Sequence, residues 1–236
     1  MLKLEHINKK LGDFRLKDIN FEVDQGEYFV ILGPTGTGKT IILETIAGIY
    51  APDSGDIYIN NISISNLPPE KRNIGFVYQD YLLFPHLSVR KNIVFGLKAR
   101  NVNKADMDKA LQEISTMLGI DHLLNRNPLT LSGGEQQRVA FARAVVTSPK
   151  ILLLDEVSSA LDPRTKEIFQ HNLKKIHEKL KTTTIHITHD FNEAVYLADR
   201  IAIMKDGEIC EIGTPEEIFK NPKSEFVANF TGCKTL

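Results

Sequence analysis

The stretch GPTGTGKT, residues 33–40, decides the fold. It matches the pattern G-x-x-x-x-G-K-[S/T], it follows the apolar run YFVIL at residues 28–32, and a segment of helical character, IILETIAGIY, comes after it. A glycine-rich turn between a strand and a helix directs backbone N–H groups at a phosphate, and the N-terminus of the helix adds partial positive charge. The stretch therefore predicts a phosphate-binding P-loop.

The residues of this loop have different expected roles. Lys39 would bind the β- and γ-phosphates of a nucleotide as a point charge, and the Thr40 hydroxyl would be a ligand of Mg²⁺. The backbone around the phosphates would come from Gly33, Pro34, Thr35, Gly36, Thr37 and Gly38. A chance glycine-rich turn is the alternative, but the strand before the loop and the helix after it favour a phosphate site.

A second apolar run, ILLLDE at residues 151–156, ends in two carboxylates. Four buried strand residues would bring Asp155 to the C-terminal edge of the sheet, where open α/β sheets bind their ligands. Asp155 suits the coordination of Mg²⁺ through water, and Glu156 suits a general base that polarises the attacking water. An ion pair at the end of a strand is the alternative, although two adjacent carboxylates would be costly so near the sheet.

Other polar residues also follow predicted strands or precede helices. Gln79 ends IGFVYQ and is a candidate metal ligand, and His189 ends IHITH and is a candidate for a hydrogen bond to the γ-phosphate. His186, two residues earlier in the same strand, is interpreted as a packing or surface residue. Asp162 precedes Pro163, where a plain helix N-cap is an equally good interpretation.

Composition excludes several classes of protein. The 236 residues carry a formal net charge of -1 without a long basic run, which argues against a protein that binds nucleic acid. No apolar run reaches the roughly 18 residues of a membrane-spanning helix. Cys210 and Cys233 are too few and too scattered for a disulfide framework or a zinc site. We expect a soluble intracellular protein with reduced thiols.

The order of patterns along the chain predicts the architecture. Alternating residues favour antiparallel strands within residues 2–8 and 14–23, helical periodicity dominates residues 87–147, and strands and helices alternate afterwards. We predict an α/β P-loop NTPase (RecA-like) fold with a mixed, largely parallel sheet, an antiparallel β subdomain and an inserted helical subdomain. Residues 1–236 would form one domain, with a catalytic core at about 1–86 and 148–236 and the helical subdomain at 87–147.

The stretch LSGGEQQR, residues 131–138, contains a second glycine pair before a helix. Ser132 would start the helix, Gly133 and Gly134 would leave backbone N–H groups uncovered, and Glu135 would lie in the first turn, which makes an anion-receptive helix N-terminus. A plain N-cap explains the serine but makes both glycines an unneeded entropic cost. Since neither a lysine nor a metal-binding carboxylate accompanies it, this stretch cannot be an independent nucleotide site.

Taken in order, GPTGTGKT, LSGGEQQR, ILLLDE, SALD and ITHD resemble the motifs of nucleotide-binding subunits of ABC transporters, over essentially the whole chain. The resemblance implies hydrolysis of ATP, with Mg²⁺, in a head-to-tail homodimer. In such dimers the signature motif of one chain closes over the γ-phosphate that the P-loop of the other chain holds.

The resemblance also assigns roles to particular residues. Glu156 and His189 would be catalytic, with His189 as the switch histidine, and Asp155 and Glu156 would form the Walker B pair. Thr40, Gln79 and Asp155 would serve the metal, Gln79 being the glutamine of the Q-loop. The residues that contact ATP across the dimer would be Ser132, Gly133, Gly134 and Glu135 of the signature, and Asp162 of the D-loop.

Two positions depart from the family pattern. Val157 follows the Walker B glutamate where a proline is usual, and because proline fixes φ we expect a more mobile loop that modulates the rate. The family commonly stacks an aromatic residue on adenine just before a glycine near position 12, but here Leu11 precedes Gly12. Phe14 is the nearest aromatic residue and our candidate for adenine stacking, with core packing as its alternative.

The segment QDYLLFPHLSVRKNI, residues 79–93, resembles the part of importer ATPases that receives a coupling helix from the membrane subunit. An apolar run, Phe84, Pro85, His86 and Leu87, would form this partner surface, with internal core as the alternative. The resemblance implies a peripheral protein at the cytoplasmic face of the cell membrane, which binds integral membrane permease subunits and works indirectly with a solute-binding protein.

The sequences LGPTGTGKT, PPEKR and DRIAIMKDGEICEIGTPEEIF are similar to the corresponding segments of archaeal-type molybdate/tungstate importer ATPases. Sulfate, polyamine, sugar and iron importers remain alternatives, since their ATPases share much of this sequence. A soluble ABC ATPase that acts on DNA or ribosomes is disfavoured by the single P-loop and its short distance to the signature, and LSGGEQQR speaks against a P-loop kinase or GTPase. The chain stops shortly after EFVANFTG, so we expect no C-terminal regulatory domain.

Overall fold

Two β-sheets organise the chain in a computed structural model, which describes residues 1–233. The strands are β1 (Leu2–Leu11), β2 (Phe14–Val23), β3 (Tyr28–Leu32), β4 (Ser54–Ile59), β5 (Ile62–Ser63), β6 (Ile74–Val77), β7 (Ile151–Asp155), β8 (Thr183–Ile187), β9 (Arg200–Lys205) and β10 (Glu208–Gly213). The α-helices are α1 (Lys39–Ala47), α2 (Val89–Ile93), α3 (Phe95–Ala99), α4 (Lys104–Leu118), α5 (Gly133–Val145), α6 (Pro163–Leu180), α7 (Phe191–Leu197), α8 (Pro215–Lys220) and α9 (Glu225–Thr231), and short 3-10 turns cover Pro69–Lys71, Asp121–Leu123 and Pro128–Thr130.

The larger sheet has the strand order β10-β9-β3-β8-β7-β6. All neighbours pair in parallel except the hairpin of β9 and β10. Every residue of β3, β7 and β8 is buried, because apolar cores cover both faces of the sheet. The carboxyl ends of these strands therefore meet at one edge, where the chain places its P-loop and its carboxylates.

The smaller sheet is antiparallel, with the order β2-β1-β4-β5. Its apolar face packs on the parallel sheet, where the ring of Phe21 stacks on that of Phe29 at a centroid distance of 5.2 Å. The backbone N–H of Lys17 donates to the carbonyl of Gly207 at 2.8 Å, which ties this sheet to the β9–β10 hairpin. The predicted α/β fold with an antiparallel subdomain is confirmed.

Helices α2 to α5 lie in the chain between the loop that follows β6 and the start of β7. Val89 and Ile93 of α2 belong to the same buried cluster as Tyr28 and Leu152 of the parallel sheet, so this helical insertion packs directly on the sheet. None of the helices within residues 1–233 combines the length and the apolar character needed to cross a lipid bilayer.

Two strand ends differ from the sequence prediction. The pattern NIGFVYQ predicts a strand over residues 73–79, but β6 stops at Val77, which pairs with Leu154. Tyr78 and Gln79 lie beyond this last pair, although β7 continues for one more residue, to Asp155. Conversely, β1 continues to Leu11 because its hairpin with β2 keeps pairing up to Phe14.

Candidate functional site

The P-loop follows β3 and opens α1, as predicted. Gly38, the residue before the helix, has φ +94°, and a Cβ atom there would lie 2.3 Å from the ring of Phe14. A Cβ atom on Gly33 would lie 2.4 Å from the carbonyl oxygen of Met204. Both glycines are therefore needed for the loop to curl between its neighbours.

The ammonium group of Lys39 lies inside this loop. Its Nζ donates to the carbonyl of Gly33 at 2.8 Å and to that of Pro34 at 2.9 Å, and the Thr37 hydroxyl donates to the same Pro34 carbonyl at 2.9 Å. Burial lowers the pKa of Lys39, and the nearby charges of Glu156 and Asp155 oppose that shift. The loop thus surrounds a fixed positive charge, which a phosphate group would meet.

A cavity of about 410 Å³ opens above the loop. It brings together residues that are far apart in the chain, and it is lined by Thr35, Gly36, Gly38, Lys39, Thr40, Ile41, Gln79 and Glu156. Three separate predictions, the P-loop, Gln79 beyond β6 and Glu156 directly after β7, thus meet in one place. The common position of strand ends in a parallel sheet explains this meeting.

Asp155 is the last residue of β7 and is buried under this cavity. The pKa of its carboxyl is raised, mainly by burial and to a smaller extent by the charge of Glu156. A hydrogen bond with Thr40 and the charge of Lys39 oppose this shift. A carboxylate with these neighbours favours a cation beside it. The hydroxyl of Thr40, the carboxylate of Asp155 and the amide oxygen of Gln79 are hard oxygen donors, which fit Mg²⁺.

No group of three or more His, Cys, Asp or Glu side chains within residues 1–233 is arranged to hold a metal by itself. Mg²⁺ in nucleotide sites is usually held by one or two carboxylates together with the phosphates of the substrate. The donor set around Asp155 is therefore that of a site which a nucleotide completes.

Glu156 has an unusual backbone conformation, with φ +46°. The hydroxyl and the N–H of Ser159 both donate to its carbonyl, at 2.8 and 3.1 Å, and its own N–H donates to the carbonyl of Ile187 at 2.9 Å. A left-handed conformation at a residue other than glycine is strained and persists only where its surroundings enforce it. Here the turn directs the Glu156 side chain to the cavity, and Nδ1 of His189 lies 3.4 Å from its Oε2.

Val157, the residue in place of the usual proline, is buried, and its carbonyl accepts a hydrogen bond from the side chain of Gln137 on α5. This bond holds the loop that the sequence predicts to be more mobile. Phe14, the candidate for adenine stacking, is half-buried, with its ring against Gly38 of the P-loop and its side chain also packed on the core. Its position is compatible with both interpretations, and the stacking role stays a prediction.

The signature stretch forms the N-terminus of α5, away from this cavity. The Glu135 carboxylate accepts from the N–H and the hydroxyl of Ser132, at 2.7 and 2.8 Å, and the Glu135 N–H reaches the Ser132 hydroxyl at 3.4 Å. These hydrogen bonds lower the pKa of Glu135. Ser132 and Gly133 are exposed, and nothing lies within 4 Å of a Cβ atom built on Gly133.

Asp162 is exposed as well and caps α6, where its side chain accepts from the N–H of Thr165 at 3.1 Å. Neither Asp162 nor the signature residues Ser132 to Glu135 belong to the lining of the P-loop cavity within the described chain. A single chain therefore presents two separate parts: a cavity with a P-loop and an open helix N-terminus.

Sequence reasoning missed two buried polar residues near the site, Gln137 and Glu193. Each lies on the buried face of its helix: Gln137 is one turn from Ala140 and Phe141, and Glu193 is beside Ala194 and one turn from Leu197. The available signal was a polar residue at a helix position where the spacing of its neighbours predicts an apolar one. For His186 the packing interpretation holds, since it is fully buried with Nδ1 3.0 Å from the Tyr28 hydroxyl, and burial lowers its pKa.

Comparisons with known proteins agree with this geometry. A family model described as ABC transporter matches residues 16–159. The molybdate/tungstate import ATP-binding protein WtpC of Pyrococcus abyssi is 48% identical over all of this chain and 69% of its own length, and the Fe(3+) ions import ATP-binding protein FbpC of Fusobacterium nucleatum is 44% identical over 98% of this chain and 62% of its own length. A dimeric ATP-binding cassette in a post-hydrolysis state, bound to ADP and Pi, superposes with a TM-score of 0.82 at 34% identity, covering 91% of this chain and 99% of the other.

Proposed function

The chain belongs to the ABC transporter family of ATP-hydrolysing subunits, and from this premise we propose that it powers a membrane importer of molybdate or tungstate. Hydrolysis would take place at the interface of a head-to-tail dimer, on the cytoplasmic face of the membrane. We infer the dimer from one observation: within a single chain, the signature at the start of α5 is not part of the P-loop cavity. A dimeric structure of a relative in a post-hydrolysis state supports it.

In the proposed site the P-loop backbone and Lys39 bind the phosphates of ATP. Thr40, Asp155 and Gln79 would hold Mg²⁺, which when bound would supply positive charge to neutralise the phosphates. Glu156 polarises the attacking water and takes its proton, and His189, 3.4 Å from Glu156, orients this carboxylate and faces the γ-phosphate. Most of the catalysis would come from positioning and charge stabilisation.

The second half of each site comes from the partner chain. The signature residues Ser132, Gly133, Gly134 and Glu135 form an exposed helix N-terminus whose partial positive charge favours an anion. Asp162 lies at the start of α6, and the side chain of Thr165 in the first turn of α6 is near Gly134, so the D-loop and the signature form one continuous surface. We propose that this surface closes over the γ-phosphate held by the partner.

The solute assignment rests on similarity. The relative named for molybdate and tungstate import is 48% identical to this chain, and the relative named for iron import is 44% identical, so iron import is the second candidate. The test is reconstitution in lipid vesicles with the permease and the solute-binding protein encoded beside this chain. We expect molybdate or tungstate to increase ATP hydrolysis, and sulfate, maltose and ferric iron to leave it at the basal rate; stimulation by one of these instead would replace the assignment.

The surface proposed to receive the permease consists of residues 81–87 together with Phe95; we name it the docking surface. The guanidinium of Arg143 fixes the backbone of the docking surface by donating to the carbonyls of Leu82 and Tyr81, at 2.8 and 2.9 Å. It also lies 5.2 Å from the ring centroid of Phe84. Leu82 is 54% exposed and Phe95 is 48% exposed. The ring of Phe95 lies 4.6 Å from that of Phe84, and exposed apolar side chains on a fixed backbone support a partner site.

Asn92 fixes the same backbone from the other side. Its side-chain amide donates to the carbonyl of Phe84 at 3.1 Å, and its side-chain oxygen accepts from the Phe84 N–H at 2.8 Å. Asn92 is fully buried. The docking surface is therefore a rigid feature that a partner helix can meet without ordering a loop first.

Replacing Phe84 with Asp is expected to release the permease. The carboxylate would have to be desolvated in an apolar interface, which lowers affinity by about tenfold or more. Co-purification of the permease from detergent checks this, and Ile168→Asp is the matched control, since Ile168 is 54% exposed on α6. Equal recovery of the permease with both variants would place the partner elsewhere.

A further inference from the structure

A carboxylate lies completely buried between the two loops that carry the proposed catalytic residues. Glu193, on α7, has 0% exposure. Its Oε2 accepts from the Thr188 hydroxyl at 2.5 Å, its Oε1 accepts from the amide of Gln170 at 3.3 Å, and Nε2 of His186 is 4.0 Å away. An apolar side chain would fill this space with a smaller desolvation cost. We therefore attribute the role of Glu193 to its hydrogen bonds and not to packing.

The first of these bonds fixes the backbone around His189. Thr188 precedes His189, and its hydroxyl both donates to Glu193 and accepts from the N–H of Asp190, at 3.1 Å, on the other side of the histidine. Asp190 is itself held by an ion pair with Lys166 at 2.8 Å. The peptide unit that follows His189 is thus tied to the buried carboxylate through the Thr188 hydroxyl.

A second polar side chain near the same carboxylate is that of Ser158, which lies two residues beyond Glu156 and is buried. Burial raises the pKa of Glu193, while the charge at His186 and the hydrogen bonds from Thr188 and Ser158 lower it, and the lowering prevails. An ionised carboxylate strengthens the hydrogen bond that it accepts from Thr188.

We propose that Glu193 is a positioning residue for ATP hydrolysis: through the hydroxyl of Thr188 it holds the loop of His189 in the arrangement that places the His189 side chain 3.4 Å from that of Glu156. The inference rests on the proposed roles of Glu156 and His189. Its effect would appear in the rate of hydrolysis and not in the binding of ATP, because the P-loop is built from β3 and α1.

The test removes one hydroxyl. Thr188→Val keeps the shape of the side chain but loses the bond to Glu193, and we expect kcat to fall by about 10-fold or more, since small displacements of reacting groups have such effects, with the KM for ATP within about twofold of wild type. Thr188→Ser restores the hydroxyl and is expected to restore kcat. The matched control is Thr184→Val, which removes a buried hydroxyl from the same face of β8, four residues away.

A double variant separates positioning from a general loss of stability. If Thr188 acts through His189, combining Thr188→Val with His189→Ala slows hydrolysis no further than His189→Ala alone. Multiplying effects would overturn the inference, as would a Thr188→Val rate within twofold of wild type. If Thr188→Val does not fold, Glu193→Met, which keeps the length of the side chain but offers Thr188 no carboxylate oxygen, is measured in the same assay, with the same expected loss of kcat, and an unchanged kcat would overturn the inference.

The same series distinguishes this inference from the proposed function. Full turnover in His189→Ala would remove His189 from the site and with it the premise. Loss of turnover in His189→Ala together with normal turnover in Thr188→Val and Glu193→Met would leave the proposed function intact and reject only the positioning role.

Discussion

Replacing Glu156 with Gln is expected to slow ATP hydrolysis by about 100- to 10,000-fold, the range typical for the loss of a general base, while ATP still binds. The amide has the size of the carboxylate but cannot take a proton from the attacking water. The phosphate-binding atoms of the P-loop and Lys39 stay in place, because the side chain of Glu156 is not among the partners of the Lys39 ammonium group. The backbone turn at residue 156 is held by Ser159 and does not depend on the carboxylate.

A slow enzyme that binds ATP should accumulate as a closed dimer. Size-exclusion chromatography with light scattering, run with ATP and Mg²⁺, is expected to give twice the 26.6 kDa mass of one chain for Glu156→Gln. Glu167→Gln, an exposed substitution on α6, is the control and should behave as the wild type. Unchanged turnover in Glu156→Gln would remove this residue from the role of general base.

Replacing Ser132 with Arg is expected to reduce turnover by at least about 100-fold, the size of effect seen when a single electrostatic contact to a transition state is removed. ATP binding by the separate chain should be largely unchanged, since Ser132 lies outside the P-loop cavity. The arginine would occupy the space in front of the helix N-terminus, where the γ-phosphate of the partner must fit. Isothermal titration with a non-hydrolysable ATP analogue and a steady-state rate assay measure the two quantities.

The control for this variant is Ser224→Arg. Ser224 caps α9 as Ser132 caps α5, accepting from the N–H of Val227 at 3.1 Å, so both substitutions lose one N-cap at a cost of about 1 kcal/mol. Only Ser132→Arg should lose turnover. Full activity in Ser132→Arg would show that the signature does not complete the site.

Mixing the two inactive variants tests the dimer itself. A Glu156→Gln chain still offers an intact signature, and a Ser132→Arg chain still offers an intact P-loop and general base. In a mixed head-to-tail dimer these halves form one complete site, so turnover is expected to return in part. If each site were complete within one chain, the mixture would stay as inactive as its components.

Sequence reasoning located the parts of the site that depend on local pattern. The P-loop, Asp155, Gln79 and His189 follow apolar strands, and parallel strands end at one edge, so the pattern predicts both the residues and their meeting. The left-handed backbone of Glu156 has no such signal, since the residue is not glycine and the surrounding hydrogen bonds enforce the turn.

The contacts of the buried network were outside the reach of local pattern for another reason. Thr188 and Glu193 come from a strand end and a helix, and their hydrogen bond exists only after the sheet and α7 have packed. The end of β6 at Val77 is of the same kind, because it depends on the pairing of β6 with β7. Helical spacing marks Glu193 as a polar residue on a buried face, but tertiary context decides which partners it meets.

The carboxylate of Glu135 adds a consequence for how a dimer would open and close. It accepts from the N–H and the hydroxyl of Ser132 at the exposed N-terminus of α5, so the free chain already has an anion at that position. An incoming phosphate would compete with this carboxylate for the donors of Ser132, so the free energy gained at Ser132 on closure would be the difference between two anions. Such an exchange is easily reversed, which suits a device that must release its product and begin another cycle.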